Sequence, residues 1–83
     1  MSKGTTLIQT LTAYLSLAAV NKNPAAQKWI KNQIGEIQDV SRRYANAQAT
    51  GQLDAVRNSL ESEMNEKQKE VSDFAAKVNP GTP

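Results

Sequence analysis

Along this chain the apolar residues recur at spacings of three and four rather than two, which is the period of an α-helix and not of a strand. Three runs carry the pattern. In the first, about residues 5–20, Leu7, Ile8, Leu11, Tyr14, Leu15 and Ala18 share one broad face, while Leu17 and Val20 lie towards the other side and leave little of the last turn polar. Such a helix wants cover on more than one side.

The segment Asn21-Lys22-Asn23-Pro24 breaks this run. Asn23 suits an N-cap and Pro24 the first helical position, so a second helix is predicted from about 24 to 49. Its stripe is Ala26, Ile30, Gln33 with Ile34, Ile37, Val40, Tyr44 and Ala47, and Ile30, Ile37 and Tyr44 follow each other at heptad spacing. The third run, about 53–78, carries Leu53, Val56, Leu60, Met64, Val71, Phe74 and Val78, with a charge at Lys67 where the stripe should continue. Within Glu61–Glu70 Met64 is the only apolar residue, so this stretch is weakly held unless something covers it; the pairs Glu63–Lys67 and Lys69–Asp73 add only a few tenths of a kcal/mol each. The ending Asn79-Pro80-Gly81-Thr82-Pro83 reads as a flexible tail over 79–83, and residues 1–83 otherwise form a single helical domain.

Whether the second and third runs form one rod or a hairpin is decided by phase. Gly51 alone would cost a continuous helix only ~1 kcal/mol. Extending the series Ile30, Ile37, Tyr44 lands on Gly51, Asn58 and Asn65, whereas the apolar series that exists is Leu53, Leu60 and Phe74. A slip of two residues turns the stripe by roughly 200°, to the far side of a continuous rod. A turn at 49–52 with left-handed Gly51 instead folds the stripes onto one another. In the resulting antiparallel hairpin, Ile37 meets Met64, Ile30 meets Val71, and Trp29 approaches Phe74. The fold class is therefore all-α, a hairpin with a shorter N-terminal helix that either closes a three-helix bundle or reaches a neighbouring subunit.

Composition narrows the chemistry. At 83 residues the chain holds one modest core, and with neither Cys nor His it lacks disulfides, the usual metal ligands and the common nucleophile–base pairs. No cofactor or metal is expected. Glu61, Glu63, Glu66 and Glu70 are the one carboxylate cluster, and on an exposed helix they solvate it rather than catalyse. The run between Lys3 and Lys22 has no charge, but its apolar part, Leu7 to Val20, is shorter than the ~20 residues that cross a bilayer and contains Gln9, Thr10, Thr12 and Ser16. Packing is the better use for it.

Two sets of candidate contacts remain. Leu7, Leu11, Tyr14, Leu15, Leu17 and Trp29 are the large apolar side chains that a partner would cover, and Gly35 is an outward mid-helix glycine that would allow close backbone approach. Lys28, Lys31, Arg42 and Arg43 form a basic row suited to nucleic acid, against which stand Asp39 on the same face, the lack of an interleaved aromatic and a net charge of only +2. The segment Leu11-Thr12, Leu15, Ala18-Ala19 and then Asn21–Pro24, followed by a second helix, resembles the first half of type III secretion needle subunits, which are small helical hairpins that polymerise. The likeness covers about a third of the chain; the polar stretch 61–70 and the ending 79–83 depart from that family's apolar C-terminal helix.

The sequence thus points to a non-enzymatic helical structural protein that self-associates or takes a place in a larger assembly, such as a virion or a secretion apparatus, with the uncharged first helix against its neighbours. The alternative is a monomeric three-helix adaptor or inhibitor that docks on a macromolecular partner, and the third reading is a weak nucleic-acid binder. Such a chain is compatible with the cytoplasm or a virion.

Overall fold

A computed structural model of the chain describes residues 2–78. Among these residues there are four helices: α1 (Ser2–Tyr14), α2 (Ala18–Asn21), α3 (Pro24–Ala49) and α4 (Leu53–Val78). The predicted tail at 79–83 lies outside the described residues. Helices α3 and α4 are each 26 residues long, ~39 Å at 1.5 Å per residue, and as an antiparallel hairpin they set the 45 Å long axis of the molecule.

The local chemistry at both ends of α3 is the one its sequence dictates. Asn23 takes an extended backbone and its side-chain oxygen accepts from the Ala26 N–H at 3.2 Å, with Pro24 in the first turn. At the other end Gly51 has φ +72°. That conformation lets the Gln52 N–H reach back to the Ala47 carbonyl at 2.8 Å and the Gly51 N–H to the Gln48 carbonyl at 3.3 Å, the paired bonds of a Schellman cap. The Thr50 hydroxyl donates to the Asn46 carbonyl at 3.0 Å. Carbonyls left over at the helix end are thereby satisfied, and the chain leaves in the direction α4 requires.

The N-terminal segment departs from its expectation of one helix over 5–20. It starts at Ser2, stops at Tyr14 and resumes only as the short α2. After Tyr14 the backbone tightens: Leu15, Ser16 and Leu17 each donate to the carbonyl three residues back, at 3.2, 3.2 and 3.1 Å. The physical reason lies in the two-sided apolar pattern. A straight helix would keep Leu17 and Val20 on the side away from the core, whereas the break turns the chain so that Val20 is 0% exposed.

Helix α1 packs into the hairpin, antiparallel to α3 and parallel to α4. Its start is fixed by Gly4, which sits against Ser41, Met64 and Ile37, and by Lys3, whose Nζ donates to Asn65 Oδ1 at 2.8 Å. Its end is fixed by Tyr14, edge-on to Phe74 with ring centroids 6.0 Å apart. The stretch of α4 around Met64 is therefore covered by the chain's own first helix. The core comprises Leu7, Leu11, Val20, Ile30, Ile37, Val40, Leu60, Met64 and Val71, each worth about 1.5–3 kcal/mol on burial. Among the described residues no large hydrophobic side chain is exposed, and none of the helices is long and apolar enough to cross a membrane.

Candidate functional site

Because α1 lies on one side of the α3–α4 seam, the opposite side is an open groove between two helices. On α3 it is lined by Lys31, Asn32, Gly35, Glu36, Asp39 and Arg43, and on α4 by Glu63 and Lys67, with Val40 at the floor, enclosing about 550 Å³. Gly35 is exposed, and a Cβ built there would meet nothing within 4 Å. The groove wall is thus lowest at Gly35, and nothing in the chain itself requires glycine there.

Two ion-pair systems cross the groove. Arg43 holds Glu63 with both terminal guanidinium nitrogens, Nη2 to Oε1 at 2.6 Å and Nη1 to Oε2 at 3.0 Å, while its Nε donates to Asp39 Oδ2 at 3.0 Å. Asp39 also accepts from Arg42. The Arg42 hydrogen bond, aided by Arg43, holds the Asp39 carboxyl below its ordinary range, and the Arg43 fork does the same for Glu63. Its bond to Glu63 raises Arg43 in turn.

Lys67 lies deeper, its side chain 17% exposed, between Glu36 and Glu70. Burial pulls its ammonium down, but the Glu36 hydrogen bond and the Glu70 charge outweigh that and its pKa is raised overall. Glu70 also accepts from Gln33 Nε2 at 3.2 Å. Gln33 is the one polar member of the buried stripe of α3, and among the described residues its Oε1 has no hydrogen-bond partner. Lys67 therefore does not so much interrupt the α4 stripe as form the edge of a polar layer that ties α4 to α3.

Below this layer, at the open end of the hairpin, Trp29 stacks on Phe74 with centroids 4.6 Å apart and ring planes 13° from parallel. Together with Glu70, Asp73 and Lys77 the two rings line a second hollow of about 320 Å³.

The expected site residues are divided by the fold. Leu7 and Leu11, expected against a partner, are core residues of this chain, 7% and 0% exposed. Tyr14, Leu15 and Leu17 are half-buried on the same core. Trp29 and Gly35 alone of that set border the open face. The basic row also divides: Arg42 and Arg43 are engaged with Asp39 and Glu63, whereas Lys28 and Lys31 are exposed and form no ion pair among the described residues.

Glu36, Glu63, Lys67 and Phe74 escaped the sequence reading as groove residues, although the hairpin register that pairs Ile37 with Met64 already places Glu36 beside Lys67 and Trp29 beside Phe74. Gly4 carried no signal, since its role depends on where α1 crosses α3. The chain matches no family model, no curated protein and no solved structure.

Proposed function

We propose that this protein is a small non-catalytic binding module, a monomeric three-helix adaptor or inhibitor that presents the open α3–α4 face to a macromolecular partner. The observation that carries this reading is the placement of α1. An uncharged first helix free to reach a neighbour is one of the grounds for expecting self-assembly, and here its Leu7 and Leu11 fill the chain's own core. The face left without a third helix is polar at its rim, contains the bare backbone of Gly35 and keeps its charges in fixed positions through the Arg43 and Lys67 pairs. Pre-positioned polar groups of this kind suit specific recognition more than hydrophobic assembly. A binding rather than catalytic role is supported by the groove's carboxylates, since Asp39 and Glu63 are both engaged in ion pairs with Arg42 and Arg43.

Light scattering coupled to size-exclusion chromatography, over a hundredfold range of concentration, tests this with helicity followed on the same samples. The expected result is a fully helical particle of 9.1 kDa throughout. Mass that grows together with helicity would overturn the proposal and return the chain to the self-assembling class.

A further inference from the structure

A two-helix hairpin offers a third helix two sides of its seam, and the two choices give bundles of opposite hand. In this chain the two sides differ in charge. Trp29, Glu36 and Arg43 follow each other at heptad spacing along the open flank of α3, whereas Ser41 and, seven residues before it, Ile34 border the stripe on the side of α1. On α4 the open flank carries Glu63, Lys67 and Glu70, and the flank under α1 presents Met64 to Gly4 and Asn65 to Lys3. Among the described residues, the ion pairs that join α3 to α4, Arg43–Glu63 and Lys67–Glu36, therefore lie on the open side.

We infer that these ion pairs decide which side of the hairpin α1 takes, and so keep the α3–α4 groove free. Apolar cover is to be had on either side, since Trp29, Val40, Val56 and Phe74 border the open flank much as Ile34 and Met64 border the other. Charge is what differs. Helix α1 has no charged residue after Lys3, so laid across the open flank it would cover Glu36, Arg43, Glu63 and Lys67 with no group of opposite sign. Its Thr10 and Thr12 hydroxyls are already given to its own backbone, to the Thr6 carbonyl at 3.0 Å and the Ile8 carbonyl at 2.8 Å. Arg43 and Glu63 keep more than two-fifths of their side chains in water, and Glu36 more than half. Taking such pairs out of water costs more than their attraction returns unless further hydrogen bonds complete them. On the side it occupies, α1 meets a serine, a methionine and an asparagine, and no ion pair is desolvated.

The chain has no cysteine, so introduced pairs report the position of α1 without interference. A Cβ at Gly4 lies 2.6 Å from Ser41 Oγ, which puts the pair G4C/S41C within disulfide reach, and G4C/R43C probes the opposite flank of α3 at the same level. The equilibrium closure of each pair is measured in the full chain in glutathione buffer at low protein concentration, with helicity followed by circular dichroism. With the other charges in place, the 4–41 pair is expected to close far more readily than the 4–43 pair. In the background E36L/E63L/K67L that preference should fall roughly tenfold or more, as α1 gains access to the second side. The milder background E36Q/E63Q/K67M should move the preference in the same direction, and it serves if the leucine variant loses its fold. A preference unchanged in whichever background keeps its helicity would overturn the inference, leaving the shape of the contacts at Gly4 and Tyr14 to select the side. Equal closure of the two pairs with the charges in place would overturn it as well.

Discussion

Three glycines in this chain meet three different environments, and the difference sets what each substitution does. Gly51 has φ +72°, where a side chain crowds the following carbonyl, so Gly51→Ala should lower stability by ~1–2 kcal/mol in urea denaturation. Gly35 has ordinary helical backbone and open space where a Cβ would go. Gly35→Ala should therefore raise the urea midpoint, by about 1 kcal/mol of helix propensity. A glycine retained at such a cost is consistent with close approach by something outside the chain. Gly4 is the opposite case, for an added Cβ would lie 2.6 Å from Ser41 Oγ and 3.1 Å from Met64 Cε.

At the scale of elements, Gly4 decides how α1 docks. The Ser41 hydroxyl and the Met64 methyl are side-chain ends that can move for a methyl group, but a longer side chain would have to lift the helix. Gly4→Leu is expected to destabilise the protein by ~1–3 kcal/mol and to raise the fluorescence of a hydrophobic dye as α1 loosens from the hairpin. An unchanged urea midpoint would mean that α1 does not pack at Gly4 as described. In the polar middle of α4, Glu63 and Lys67 pair across the hairpin, to Arg43 and Glu36, in place of the i,i+4 pair with each other that their spacing suggests. A helix partner one turn away offers a few tenths of a kcal/mol; a partner on the facing helix also fixes register, which is the larger consequence.

For the whole molecule the ion pairs give stability a defined pH dependence. Asp39 and Glu63 have folded-state pKa values below their unfolded ones, so their contribution is fully present above the ordinary carboxylate range and is lost as pH falls through the depressed values. The urea midpoint should therefore decline from about pH 5 downwards, and the decline should flatten in Arg43→Gln. Both side chains are more than two-fifths exposed, so the effect is shallow and shrinks further in high salt. A midpoint that fell equally steeply in Arg43→Gln would show that other carboxylates govern the acid limb. Lys67 acts in the other direction, its contribution present below the ordinary lysine range and lost only in strong alkali.

What the sequence determined by itself was local and periodic. Asn23, Pro24 and Gly51 mark helix ends through backbone geometry that needs no distant partner, and the two-residue slip between the α3 and α4 stripes forces a turn because a single rod could bury neither. The bounds 24–49 and 53–78 and the Trp29–Phe74 approach follow from those two facts. What only the tertiary structure decided was the fate of residues 2–21. Their apolar pattern faces two ways, and such a pattern is equally compatible with a neighbour's surface and with a broken helix folded onto the chain's own hairpin. The choice rests on shape: a glycine at the crossing with Ser41 and Met64, and a break after Tyr14 that brings Val20 inward. Once α1 takes one side of the seam, the groove on the other side is the surface that remains.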